Sequence, residues 1–220
     1  MDSFEKDLLE IALDGIRDGT VMAIGECGLD RLRENFAPFE TQKKVWRTHF
    51  DLCERTNLPM FIHSRDCEAD TLAMLREQPL KRGGVVHSFD GSLDAALAIC
   101  QINDLMFIGL NGCSLRTEAN LKTARDIPLE RILVESDSPW CEIKVTSAAK
   151  PLLTDFRAWE VPEVNKPEKL KGQEGKSTLK GRNEPRNTLE VLHVISILKD
   201  KPLDEVASVV LANTQRLFGR

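Results

Sequence analysis

Pro59-Met60-Phe61-Ile62-His63-Ser64-Arg65 and Gly84-Val85-Val86-His87-Ser88 share one pattern, a short apolar run that ends on a histidine. Runs of this length bounded by polar residues read as strands buried on both faces, as in parallel sheets. Three further runs fit the same description: Val21-Met22-Ala23-Ile24, Leu105-Met106-Phe107-Ile108 and Ile132-Leu133-Val134. Between them, Thr41 to Arg55, Glu68 to Arg76, Leu93 to Ile102 and Glu118 to Arg125 carry helical periodicity. Such β-α-β-α alternation requires crossover helices, which leaves a doubly wound sheet or a (β/α) barrel. The choice rests on the polar residues just past each run: Glu26, His63, His87, Asn111, and Glu135 with Asp137. Barrel enzymes collect reactive groups at successive C-terminal strand ends, whereas a doubly wound sheet gathers ligands at one switch point. The spread predicts an α/β chain of the TIM-type (β/α) barrel kind.

Upstream, Phe4 to Arg17 reads as an amphipathic helix capped by Ser3. Five predicted strands against the eight of a closed barrel lead to the expectation of an N-terminally truncated barrel lacking three front strands. Its open edges would favour pairing between copies. Residues 1–220 are expected to form one domain, with a long loop from 142 to 181 after the last strand. Six basic residues between Lys166 and Arg182 face only Glu168 and Glu174, so the segment reads equally as a solvated loop or a phosphate-steering one. Pro185 to Leu198 and Pro202 to Phe218 are predicted as two closing helices.

At 220 residues, 41% hydrophobic and 30% charged, the composition is that of a globular chain with no apolar run long enough for a membrane span. The start Met1-Asp2-Ser3-Phe4 lacks the features of a signal peptide, so an intracellular protein, cytoplasmic or nuclear and not secreted, is expected. Six cysteines without a Cys-x-x-Cys pair read as reduced, mostly packed thiols. A net charge of −5 argues against coating nucleic acid through a broad basic face and leaves metal-mediated contact with phosphate. No membrane and no obligate protein partner is indicated.

Glu26, His63, His87 and Asp137 on neighbouring parallel strands would converge over a barrel axis, and histidine with carboxylate suits Zn, Mn or Mg. His49 and His193 fall inside predicted helices and read as structural. Glu135 and Asp137, two apart on an extended segment, would share a face. Cys27 alternates to the face opposite Glu26, which argues against Cys-His nucleophilic catalysis.

Five segments, Ile24-Gly25-Glu26-Cys27-Gly28-Leu29-Asp30, Pro59 to Arg65, Val86-His87-Ser88-Phe89-Asp90-Gly91, Leu133-Val134-Glu135-Ser136-Asp137-Ser138-Pro139-Trp140 and Arg182-Asn183-Glu184-Pro185, together resemble the TatD family of metal-dependent deoxyribonucleases, particularly its eukaryotic branch. The resemblance runs from the first helix to Asn213-Thr214. It implies hydrolysis of DNA phosphodiesters, exonucleolytic on single-stranded ends, by two divalent ions. Glu26 would bridge them, His63 and His87 would hold one, and Asp137 would help hold the other and accept the proton of the attacking water. Motif position makes Arg65 and Arg182 candidates for phosphate contacts and Glu184 a candidate for a sugar or terminal hydroxyl. The family completes the second ion with a first-strand His-x-His, and the four histidines here, 49, 63, 87 and 193, include no such pair. One metal position is thus fully retained. Where the family continues with an aromatic residue, Asp and Arg after Gly28-Leu29-Asp30, this chain has Arg31-Leu32-Arg33. Two alternatives stay open: a catalytically impaired fragment or binding protein, and a small-molecule amidohydrolase on the same barrel.

Overall fold

The computed structural model describes residues 3–154, 156, 163–164, 166–169, 171–172 and 177–219. Helix α1 (Ser3–Asp18) leads into strand β1 (Ile24–Asp30), and then α2 (Phe39–Thr56), β2 (Met60–Arg65), α3 (Glu68–Glu77), β3 (Gly84–Val86), α4 (Leu93–Cys100), β4 (Met106–Leu110), α5 (Glu118–Asp126) and β5 (Ile132–Val134) alternate. Helices α6 (Thr188–Leu198) and α7 (Leu203–Phe218) close the chain. The five strands are parallel and lie in the order β1-β2-β3-β4-β5. That order has no reversal, so the sheet has no switch point and is part of a TIM-type barrel rather than a doubly wound sheet. Among the described residues no helix is long and apolar enough to cross a membrane.

Several boundaries differ from expectation. Ser3 is the first residue of α1 and not its cap. The first strand begins at Ile24, the last residue of the apolar run, because Val21 belongs to the helix stop. The amides of Thr20 and Val21 both donate to the Gly15 carbonyl, at 2.8 and 3.0 Å. A Cβ on Gly15 would meet Val21 at 2.3 Å, so the helix and the Val21 side chain are in direct contact. In β1, Ile24 pairs with Met60 but Cys27 pairs with Ile62, leaving one extra residue in a bulge around Gly25 and Glu26. Glu26 therefore lies inside the strand, not beyond its end. Past the bulge the strands press close, and a Cβ on Gly28 would sit 1.9 Å from the His63 carbonyl oxygen. The stretch predicted as a long loop carries short elements among its described residues, including the parallel pair β6 (Glu163–Val164) and β7 (Thr178–Leu179). Lys176 lies outside the described residues; Lys166, Lys169, Lys171, Lys180 and Arg182 are exposed.

Both faces of the sheet are covered, as the continuous apolar runs require. Met60, Ile62, Val86, Met106, Ile108 and Ile132 pack under the helices with Trp46, Leu75, Ala96 and Ile99. The indole N–H of Trp46 points at the Met60 sulfur, 3.1 Å away. On the other face Val85, Phe107 and Leu133 pack with Leu217, flanked by Phe61. Register places Phe61, Val85 and Phe107 side by side. Two residues further along each strand, on that same face, come His63, His87 and Gly109, with Glu135 two residues beyond Leu133. The polar constellation is thus the next layer up from an apolar one. Helix α7 is fastened beneath β5 by the Asn213 amide, which donates to the carbonyls of Leu129 and Ile132 at 2.9 Å each.

Candidate metal centre

Glu26 Oε1 lies 2.8 Å from His63 Nδ1 and 2.7 Å from His87 Nε2, and the two ring nitrogens are 3.3 Å apart. Among the described residues, these three side chains form the group able to offer three ligand atoms within 4.8 Å of one another. The nitrogen separation suits one divalent ion: with metal–nitrogen bonds near 2.05 Å, a tetrahedral edge is about 3.4 Å. The two contacts to Glu26 are those of direct hydrogen bonds and would open by roughly half an ångström on binding.

The electrostatics match a site of opposed charges. Hydrogen bonds from His63 and His87 hold the Glu26 carboxyl well below the usual carboxylate range against the opposing effect of its partial burial. Burial pulls His87 down, but the Glu135 and Glu26 carboxylates outweigh it and push the imidazole up to about 9. His87 is 5% exposed, whereas Glu26 is 49% exposed and faces the solvent side of the bulge. A cleft of about 480 Å³ opens beside Glu26 between β1 and α2, with Asp30, Arg33, Phe36 and Trp46 on its walls.

Each histidine also has a carboxylate behind it. His63 Nε2 is 3.1 Å from Asp30 Oδ2. His87 Nδ1 is 3.6 Å from Glu135 Oε1, which accepts from the Ser88 amide at 2.6 Å and the Asn111 side-chain amide at 3.0 Å. A Cβ on Gly109 would stand 3.0 Å from the His87 Cα and 3.2 Å from Glu135 Oε2, so β4 leaves the gap through which Glu135 reaches β3. The sequence marks Glu135 and Asn111 as strand-end residues without giving them a role, and Asp30 only as part of a motif. Their signal is the same as that of the candidate ligands, a polar group just past an apolar run.

Asp137 is not brought into the cluster. Strand β5 ends at Val134, so the alternation expected to put Glu135 and Asp137 on one face does not apply. The backbone is left-handed at Asp137 (φ 53°), and Oδ2 accepts from the Cys141 thiol at 3.1 Å. Arg65 ends β2 with Nη1 3.8 Å from Asp90, and its Nε is buried without a hydrogen-bond partner. Arg182 and Glu184 flank Asn183, whose amide N–H donates to the Pro139 carbonyl at 3.0 Å and whose side chain donates to the Ser136 carbonyl at 2.7 Å. The last motif is thereby tied to the turn that holds Asp137. Glu184 accepts from Arg186 Nε at 3.0 Å.

The remaining candidates take structural places. His49 Nδ1 lies 2.8 Å from the Val45 carbonyl within α2, and His193 stacks on Phe156 with ring centroids 3.9 Å apart. Cys27 is buried and burial drives its thiol far up, which removes it as a nucleophile. All six cysteines are free thiols, five of them buried.

Comparison with known proteins identifies the family. The family model described as "TatD related DNase" matches residues 2–219. The "Deoxyribonuclease Tat-D" of Schizosaccharomyces pombe is 39% identical over 96% of this chain, and the "Uncharacterized metal-dependent hydrolase YabD" of Bacillus subtilis is 30% identical over 90%. The chain spans 65% of the length of each of these two relatives. The crystal structure of a TatD family hydrolase from Entamoeba histolytica superposes with a TM-score of 0.86 at 32% identity, covering 99% of this chain and 69% of that one. The match over residues 2–219 and the shared fold place this chain in the family of TatD-related DNases.

Proposed function

We propose that the chain forms the metal-dependent catalytic part of a hydrolase that cleaves DNA phosphodiesters, releasing nucleotides from single-stranded ends. The observation that carries this reading is the convergence of Glu26, His63 and His87 from three neighbouring strands, in a chain whose relatives include a named deoxyribonuclease. Magnesium, manganese or zinc bound there supplies Lewis acidity toward phosphoryl oxygen and water. The side chains do the rest. Glu26, His63 and His87 would hold one ion, and Glu26 with Asp137 would help hold a second. Asp137 takes the proton of the attacking water through the carboxylate oxygen that Cys141 does not engage. Arg65 is partly exposed at the end of β2 and only loosely paired with Asp90, so the outer nitrogens of its guanidinium would contact phosphate. Arg182 binds a neighbouring phosphate, and Glu184 binds a sugar or terminal hydroxyl, both from the segment docked on the Asp137 turn.

The test is mononucleotide release from a labelled single-stranded oligonucleotide in Mn²⁺. Glu26→Ala should abolish it; activity that persists in EDTA would overturn the reading. A second reading, a chain that holds one ion without turnover, is favoured by the lack of a His-x-His among the four histidines. Metal analysis separates the two: two ions per chain with nucleotide release support the hydrolase, one ion without release supports the binding protein.

A further inference from the structure

Imidazole has two nitrogens, and a ligating histidine must present one as a lone pair while the other carries the proton. In this site the two rings are mounted in opposite senses. His63 turns Nδ1 to the cluster and Nε2 to Asp30, whereas His87 turns Nε2 to the cluster and Nδ1 to Glu135. Neither carboxylate is a member of the three-residue group. Both are themselves held. Asp30 Oδ1 accepts from the Leu32 amide at 2.8 Å, and the Asp30 backbone amide donates to the Gln42 side-chain oxygen at 2.7 Å. Glu135 Oε1 is fixed by Ser88 and Asn111.

We propose that Asp30 and Glu135 are positioning residues of the metal centre. Asp30 holds the proton of His63 on Nε2 and so frees Nδ1 for the ion. Glu135, at an ion-pair distance of 3.6 Å, draws the proton of His87 to Nδ1 and so frees Nε2. The inference rests on the reading that Glu26, His63 and His87 bind a divalent ion. It assigns to two carboxylates that never touch the ion the choice of which nitrogen does. Removing such partners typically weakens metal affinity by about 10- to 100-fold.

The discriminating variant is Asp30→Asn. Its side-chain oxygen still accepts from Leu32, so the turn after β1 is kept. Its NH₂ group replaces the acceptor facing His63 Nε2 with a donor, which favours the proton on Nδ1 and blocks the ligand atom. Expected for Asp30→Asn is a Mn²⁺ dissociation constant raised about 10- to 100-fold by titration calorimetry, with an unchanged melting temperature in EDTA. Glu135→Gln should shift affinity in the same direction by less, because it keeps an oxygen for Ser88 and Asn111. In the Zn²⁺-loaded wild-type protein, long-range ¹H–¹⁵N spectra should show zinc on Nδ1 of His63 and on Nε2 of His87. Asp30→Asn should lose the His63 pattern and keep that of His87. Wild-type affinity with unchanged ring patterns in both variants would overturn the proposal while leaving the metal centre intact. A wild-type protein that takes up neither Mn²⁺ nor Zn²⁺ overturns the underlying reading as well.

Discussion

Raising the pH in the presence of chelator should weaken the metal-free protein, and adding metal should reverse the trend. His87 is displaced upward from 6.5 to about 9 by Glu135 and Glu26 acting against burial. A group whose folded pKa exceeds its unfolded value stabilises fully below the unfolded value, and that contribution is lost as pH rises through the folded one. At about 1.4 kcal/mol per tenfold, the displacement corresponds to roughly 3 kcal/mol. Glu26 is half exposed, so solvent screens part of its attraction and about 2 kcal/mol is the net figure. Glu26 itself is depressed, so its contribution is present above the ordinary carboxylate range and lost as pH falls. Metal-free stability should therefore peak between about pH 5 and 6.5 and decline by about 2 kcal/mol toward pH 9 and above. Metal ligation needs both imidazoles without their site-facing protons. Saturating Mn²⁺ at about 100 times its dissociation constant should add about 2.7 kcal/mol at pH 9 and nearly nothing at pH 5.5. Urea denaturation across that range, with EDTA and with Mn²⁺, measures both curves. A metal-free protein whose stability is flat or rising from pH 6.5 to 9, or a Mn²⁺ effect equal at the two extremes, refutes the reasoning.

Three further outcomes are expected. Asn213→Ala removes two buried hydrogen bonds, one to the Ile132 carbonyl and one to the Leu129 carbonyl, which keeps the Ile132 amide as donor, and should cost about 2 kcal/mol in urea denaturation, with metal affinity unchanged. Gly109→Ala places a methyl group against His87 and Glu135 and should weaken Mn²⁺ binding severalfold in calorimetry while the helical content by circular dichroism stays constant. Cys27→Ala should leave both Mn²⁺ affinity and nucleotide release within about twofold of wild type, because a thiol held protonated by burial contributes neither ligand nor nucleophile; loss of turnover there would restore a role for Cys27.

Much of the barrel was legible because parallel strands leave a strong mark: both faces are dry, so Pro59 to Ile62 or Ile132 to Val134 are apolar without interruption. The candidate ligands were legible for a related reason, since His63 and His87 each break such a run where it reaches the rim. What escaped depends on the third dimension. Val21 is apolar because it packs on Gly15 of α1, and no strand periodicity distinguishes that partner from a neighbour in a sheet. The bulge at Gly25 and Glu26 exists only relative to β2, and without it the distance from Asp30 to His63 is not defined. Asp137 was placed by extrapolating a strand through a residue whose backbone is left-handed.

The bulge has a consequence for how the protein would sense its surroundings. Strand β1 pairs with β2 and, among the described residues, with no other strand. Glu26, which contacts both histidines, therefore rides on the β1 edge of the described sheet, hydrogen-bonded to β2 and packed by α2. Anything that pairs with that edge and shifts the bulge changes how well the three ligand atoms meet, and hence the affinity for the ion. By thermodynamic reciprocity the ion changes the affinity of the edge for its occupant by the same factor. If Glu26, His63 and His87 hold an ion, pairing at that edge and filling of the site would be two readings of one equilibrium.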